Sequence, residues 1–419
     1  PESIKNEIIS LPPSNISLVI PQIVAHITHK SLNVRNVVQK IIDLFGSLHF
    51  QEVVFSLNVL MLSFVNDTEK FNSIQNIMES LGNKHLKVYK DAQLLIDGMH
   101  RSAVTWMEQW MNSLENAARK RQENDKQGII QLMQPQFKKL ENPECEFDRI
   151  FIQTFGTTLQ KCKNLFDRYK KGDLSIIRNM WDSFRFLFND IENKMKKIES
   201  IQLNKVSEEL ANKRNFSLAV PGTYNIEQSY PYLDKIEPSL HILNSQQHPR
   251  CVYMIDTSGA KWKFLLKGNE DLRGDQRIMQ FFGLINSHLK NNRNTSDLNV
   301  SILRYAIVPF APNVGLISWV TGADTLQQLV FEYRSNREIC QSIEMEIASK
   351  YFSGNLNDLS SLQRFELFEI VSSQTNANEI REMLWLRSTD HLTWLQRNRN
   401  FSISTALMSI AGYCIGLTL

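Results

Sequence analysis

The sequence predicts an α+β chain that is mostly α: helical repeats, then a four-helix bundle, then an antiparallel sheet with a helix, then a further helical region. Three observations predict it. Apolar residues recur at helical spacing from Ile20 to Met195. At Ser217-Leu-Ala-Val-Pro-Gly-Thr-Tyr224 a Pro-Gly turn signal introduces short β-branched runs. From Leu326 onward the helical period returns. The 419 residues are enough for two to four domains, and 42% apolar with 22% charged content reads as ordinary globular. A formal charge of +3 gives no support for a nucleic-acid binder. No apolar run reaches the roughly 20 residues that a membrane span needs.

Residues 1–90 read as helix–turn–helix repeats. Ile20–Ile27 places apolar residues at helical spacing, as do Val37, Ile41, Ile42, Leu44 and Phe45, then Val53, Val54, Leu57, Leu60 and Met61. His26 and His29 lie one turn apart with no carboxylate at metal-ligand spacing, so they read as ordinary histidines. Residues 92–200 read as a four-helix bundle. Its first helix carries Leu94, Leu95, Met99, Val104, Met107, Trp110, Met111 and Leu114. The second carries Ile129 to Met133 and is stopped by Pro135. The third runs from Phe147 through Cys162 and Phe166, and the fourth from Ile176 to Met195. A cleft between the first and last helices is expected to leave Trp181 partly exposed. The basic run Arg119-Lys120-Arg121 reads as a solvated helix end.

Candidate strands follow at His241–Leu243, Cys251–Ile255, Lys261–Lys267, Val300–Pro309 and Gly315–Val320, with a helix over 275–289. Asp256-Thr-Ser-Gly-Ala260 reads as a hairpin connection with Gly259 at its tip. In the strand from Lys261, residues Trp262, Phe264 and Leu266 face one way, and Lys261, Lys263, Leu265 and Lys267 the other. Lys267 is followed by Glu270, Asp271 and Asp275, expected on a helix behind the sheet. A carboxylate at ion-pair distance keeps an ammonium protonated and fixes its rotamer, which is how a lysine polarises phosphate oxygens. No Gly-x-Gly-x-x-Gly and no Walker-type loop is present.

Leu218–Tyr224, Phe264-Leu-Leu-Lys-Gly268, Glu270-Asp-Leu-Arg273, Arg304–Pro309 and Gly315–Val320 with Asp324-Thr325 occur in one order behind the bundle. That series resembles the TOR-type serine/threonine kinases of the phosphatidylinositol 3-kinase-related family, across essentially the whole chain. The resemblance implies the end of a FAT repeat region (1–90), an FRB bundle (92–200), a bilobal kinase's N-lobe (217–320) and a truncated C-lobe (321–419). It implies ATP as cofactor and protein substrates. Lys267 would hold phosphate with Glu270 and Asp275 as acidic partners. Ser245 and Gln247, in the loop Ser245-Gln-Gln-His-Pro-Arg250, would cover the phosphates. Ser318, Trp319 and Val320 would form the adenine hinge, with Leu265, Tyr305 and Ile317 lining the pocket and Thr325 near the ribose.

The same resemblance marks departures. Gly412–Leu417 is similar to the helix entering the catalytic loop, after which the family continues with Gly-Asp-Arg-His and later Asp-Phe-Gly. Here the sequence reads Thr418-Leu419. No catalytic residue and no metal ligand is therefore expected in this chain, with the ligands for Mg lying beyond its end and the fragment inactive alone. In the bundle, Leu114, Trp181, Asp182 and Phe188 match the family's drug-binding groove. Ala118 stands where the family has serine, and Gln122 and Arg185 replace aromatics, so weak or no rapamycin–immunophilin binding is expected. Residues 335–397 match an insertion that docks a WD-repeat propeller subunit, with Trp385 and Trp394 as candidate contacts, alongside TOR-complex scaffold subunits. Five scattered cysteines, Cys145, Cys162, Cys251, Cys340 and Cys414, argue for free thiols. Six Asn-x-Ser/Thr triplets carry no weight without a secretory signal. The expected location is cytoplasmic, with endomembrane surfaces or the nucleus also open. Two other readings remain: a non-catalytic scaffold, and a phosphoinositide kinase, which the bundle disfavours.

Overall fold

The computed structural model describes residues 11–245, 247–352, 354 and 358–417. Residues 1–10, Gln246, residues 353 and 355–357, Thr418 and Leu419, which fall in segments read above, lie outside them. The chain divides into two compact units, Pro1–Gln280 with Tyr305–Trp319, and Phe281–Arg304 with Val320–Leu419.

In the first unit, helices α1 (Leu32–Gly46), α2 (Phe50–Ser63), α3 (Thr68–Lys84) and α4 (Leu86–Ala103) follow three short helical segments over residues 13–28. Val38, Ile41, Ile42 and Phe45 form the buried stripe of α1. Leu44, expected on that stripe, is exposed. The bundle comprises α5 (Trp106–Gln122), α6 (Lys126–Lys139), α7 (Glu146–Lys170) and α8 (Ile177–Met195). Its core stacks Phe137 between Trp110 and Phe166, with ring centroids 5.1 Å from each.

Two expectations about the bundle fail. The single helix expected from Leu94 to Leu114 is two helices, α4 and α5. Thr105 and Glu108 make a capping box that starts a new helix, with the Thr105 N–H donating to Glu108 Oε2 at 2.9 Å. Leu95 and Met99 consequently join the core of the preceding helices, while Trp106 and Met107 join the bundle's. Pro135 does not stop the second helix; it lies inside α6. Burial of Met133 on one side and Phe137 on the other holds the helix through the lost backbone donor.

A seven-stranded antiparallel sheet follows, built from β1 (Ser200–Gln202), β2 (Leu233–Ile236), β3 (Ser239–Ile242), β4 (Arg250–Asp256), β5 (Lys261–Gly268), β6 (Ile307–Ala311) and β7 (Val314–Ser318). Its order is β1-β3-β4-β5-β7-β6, with β2 also on β4. The short strands β1 and β2 are additions to the sequence expectation. The strand expected over Val300–Pro309 is confined to β6, and the helix after β5 is α9 (Arg273–Asn291). Val252, Met254, Phe264, Leu266 and Leu316 on the inner face share one core with Leu57, Leu95 and Met99 of α2 and α4. Polar bonds lock the two layers together. Asn58 donates to the Phe310 carbonyl at 2.7 Å, and Gln51 brackets both backbone groups of Ala219. Gly268 is required where the layers approach most closely, because a Cβ there would stand 2.3 Å from the Ala103 carbonyl oxygen. The β4–β5 turn is closed by Asp256, whose carboxylate accepts from the Ser258 hydroxyl, from Trp262 Nε1 and from the Ser258 and Ala260 N–H groups. Those hydrogen bonds hold its carboxyl below the usual carboxylate range.

The second unit contains α10 (Leu326–Ser335), α11 (Ile343–Tyr351), α12 (Ser361–Gln374), α13 (Glu379–Leu386) and α14 (His391–Ile415). Arg334 of α10 is 5% exposed and ties α11 and α13 through Glu344 and Glu379. Trp385 and Trp394 pack edge-to-face with centroids 5.3 Å apart. Among the described residues no helix is long and apolar enough to cross a membrane.

Candidate nucleotide site and bundle groove

Residues directly paired in an antiparallel sheet point to the same face. The pairings Cys251–Leu265, Leu265–Ile317 and Ile317–Ile307 therefore set a continuous apolar floor on the outer face of the sheet. Leu265 and Ile317 are half-buried on it. Lys263 and Lys267 lie on the same face by alternation. Opposite Lys267 stands Gly315, where a Cβ would come within 2.8 Å of the Val308 carbonyl oxygen. The strand thus meets no side chain beside the lysine.

Lys267 Nζ donates to Glu270 Oε2 at 2.8 Å, with side chains 27% and 30% exposed. Glu270 is not on a helix, as expected from the sequence, but in the turn before α9. Asn269 adopts a left-handed φ of 61°, and the Glu270 N–H donates to the Asn313 carbonyl at 3.3 Å. That turn folds the carboxylate back under the ammonium. Asp275, expected as the second acidic partner, is exposed in the first turn of α9 and makes no ion pair with Lys267 among the described residues. The nearer Glu270 captures the ammonium, and Asp271 is spent on Arg273 at 2.7 Å.

Trp319 is 37% exposed, and Lys263 Nζ lies 3.6 Å from its ring centroid. The hinge expectation needs correction here. The Ser318 N–H donates to the Ala306 carbonyl at 2.8 Å and the Trp319 N–H to the Lys263 carbonyl at 2.9 Å, so both are consumed within the sheet. The Val320 N–H makes no backbone hydrogen bond among the described residues. Val320 and Thr325 belong to the second unit, where Thr325 caps α10 by accepting from the Gln328 N–H at 3.1 Å. Tyr305 is 37% exposed, and Ser245 and Gln247 are exposed in the β3–β4 loop. Lys263 and Cys251 are residues of this face that the sequence argument gave no role. Burial raises the Cys251 thiol pKa, partly offset by the neighbouring Lys263. The even spacing of Lys263 and Lys267 was the signal available for the first.

Between α5 and α8 lies a groove of about 500 Å³. Leu114, Ala118, Gln122, Trp181, Arg185 and Phe188 line it as expected. Asp182 does not; it is exposed elsewhere on α8. Trp181 is 7% exposed rather than open, because the Arg121 guanidinium covers its ring at 4.9 Å. Arg121, Glu115 and Phe184 are groove residues that the sequence argument missed.

The "Phosphatidylinositol 3- and 4-kinase" family matches residues 261–418, and the "FKBP12-rapamycin binding domain" family matches 98–193. The chain is 33% identical to "Serine/threonine-protein kinase TOR" of Oryza sativa subsp. japonica over 96% of its own length and 16% of the relative's. It is 32% identical to "Serine/threonine-protein kinase tor1" of Schizosaccharomyces pombe over 95% of its length and 17% of the relative's. It therefore spans about one sixth of these curated relatives. The solved "FAT and kinase domain of CtTel1" shares the fold, with a TM-score of 0.61, 16% identity, and coverage of 98% of this chain and 24% of that one. A bundle of the FRB type, followed by a lysine strand of the phosphatidylinositol-kinase type in one continuous match, places this chain in the TOR family of serine/threonine kinases.

Proposed function

We propose that the chain supplies the nucleotide-holding half of a TOR-type serine/threonine protein kinase. The carrying observation is the Lys267–Glu270 pair on the outer face of the sheet, with an exposed Trp319 farther along the same strand pair beside Lys263. Lys267 binds the phosphates of ATP, and Glu270 keeps its ammonium charged and aimed. Leu265 and Ile317 floor the base and Tyr305 borders it, while the Ser318 and Trp319 N–H groups are already consumed within the sheet. Lys263 covers one face of the indole, so the base takes the exposed remainder. Ser245 and Gln247 cover the phosphate side. Among the described residues no group of three or more His, Cys, Asp or Glu is placed to hold a metal. Neither Gly-Asp-Arg-His nor Asp-Phe-Gly occurs in the sequence. The assigned share of phosphoryl transfer is binding and orientation. Titration of the 419-residue chain with a fluorescent ATP analogue should show saturable binding competed by ATP and by adenosine. Absence of competition would refute the reading.

The bundle groove is proposed to bind rapamycin–immunophilin weakly or not at all. Gln122 and Arg185 supply polar groups where the family's groove presents aromatic faces, and Arg121 already sits on Trp181. Each missing aromatic contact costs about 1 kcal/mol or more, so two weaken the complex by roughly tenfold or more. A nanomolar ternary complex with drug-loaded immunophilin, measured by surface plasmon resonance, would contradict this.

A scaffold role is favoured by α12, which has no buried residue and exposes Leu362, Phe365 and Phe368. Such a surface suits a WD-repeat propeller subunit better than solvent. Of the two tryptophans expected there, Trp385 is 52% exposed and available, while Trp394 Nε1 is buried without a partner. Co-elution of the chain with a purified propeller subunit should be lost on replacing Phe365 and Phe368 with serine, and no co-elution at all would remove this role.

A further inference from the structure

We propose that Arg250 is a positioning residue for the phosphate side of the nucleotide site, and that Glu108 of the helical bundle holds it there. The proposal rests on the nucleotide reading above. Arg250 opens β4 and pairs directly with Leu266, the residue before Lys267. It is 2% exposed, yet charged. A buried guanidinium is costly unless its donors are met, so its partners are strictly specified. Nη2 donates to both oxygens of Glu108, each at 2.6 Å. Glu108 is fixed in turn, because Oε2 accepts from both the N–H and the hydroxyl of Thr105 at 2.9 Å. The carboxylate is thus built into the start of α5.

The guanidinium's other end reaches the loop that carries Ser245. Nη1 donates to the His248 carbonyl at 2.7 Å. His248 adopts a left-handed φ of 44°, a conformation unfavourable for a residue with a Cβ. Its own N–H donates to the Ser245 carbonyl at 3.0 Å, and the Leu243 N–H donates to the Pro249 carbonyl at 2.9 Å. The strained backbone at His248 is therefore braced at its carbonyl by Arg250. A pair that served only to join the bundle to the sheet would be complete with Glu108. Nη1 is instead spent on the backbone of the loop. Nε has no protein partner and borders a cavity of about 20 Å³, room for one water. Continuous hydrogen bonds run from Thr105 through Glu108 and Arg250 to His248, linking the bundle's first helix to the loop over the phosphates. Loss of this link should be felt by the phosphates and not by the base.

The test compares ATP and adenosine affinities, with thermal melting, for the 419-residue chain and two variants. Glu108→Gln keeps an acceptor for Thr105 but removes the charge facing Arg250. His248→Gly leaves the buried pair intact and removes the strain that the brace maintains. Glu108→Gln should weaken ATP by about tenfold and adenosine by less than about twofold. His248→Gly should weaken ATP several-fold, with unchanged melting and faster amide exchange at residues 244–249. The proposal is overturned if both ligands weaken equally, or if melting falls while the ATP-to-adenosine ratio stays constant. Failure of the unsubstituted chain to bind either ligand would instead strike the nucleotide reading, and this proposal with it.

Discussion

Replacement of Lys267 by methionine is expected to weaken ATP binding by about 10- to 100-fold while adenosine binding changes by less than about threefold. The range follows from what the ammonium can do. A hydrogen bond to a charged group contributes about 1.5–3 kcal/mol net. Lys267 is held by one partner, Glu270, at 2.8 Å, and both side chains are more than a quarter exposed. An ion pair of that exposure adds only about 0–1 kcal/mol to stability, so the variant should fold. Loss of affinity would then report on phosphate contact and not on unfolding. Methionine preserves most of the apolar stem, which alanine would not. Glu270→Gln should give a smaller loss in the same direction, because the ammonium remains but is no longer aimed. Isothermal titration with both ligands separates the cases. Equal affinities for ATP in the parent and in Lys267→Met would remove the lysine from the site.

The lysine strand was legible because its period-2 pattern, broken only at Leu265, runs from Lys261 to Lys267 and ends on a turn signal. The bundle helices were legible for the same reason at period 3.6. What escaped depended on contacts across long sequence separations. Glu270 rather than Asp275 meets Lys267 because the left-handed Asn269 folds the turn back, and nothing in the spacing of the carboxylates shows that turn. The strand β2 alternates poorly, with Asp234 and Lys235 adjacent between its apolar ends, so its pairing on β4 is a tertiary decision. Arg250 and Glu108 lie 142 residues apart, and each alone reads as a surface charge. Two signals were present in the sequence. Thr105-x-x-Glu108 is a capping box and marks the break between α4 and α5. Arg121 lies four residues from Ala117 on the face that meets α8, which could have warned that Trp181 is covered.

The largest stability effect is expected from Arg334→Met in the second unit. Arg334 donates through Nε and Nη2 to Glu379 at 3.0 and 2.8 Å, and through Nη1 to Glu344 and to the Gln341 carbonyl, each at 2.8 Å. Glu379 is only 9% exposed. Removing the guanidinium leaves that carboxylate buried and unpaired, which costs about 3–5 kcal/mol. Replacing both Arg334 and Glu379 with methionine should recover much of the loss, because the second substitution removes the stranded charge. The pH dependence has a definite sign. Bonds from Arg334 hold the Glu344 carboxyl below its usual 4.5. The unfolded chain therefore takes up a proton first, and this stabilisation is present above 4.5 and lost as pH falls through the lower folded value. In Arg334→Met that acid-linked component should vanish, so the variant's deficit should shrink on going from about pH 7 to pH 4. Amide exchange in α10, α11 and α13 reads the second unit separately from the first. A deficit below about 1 kcal/mol at neutral pH, or one that grows on acidification, would show that these three helices do not depend on the arginine.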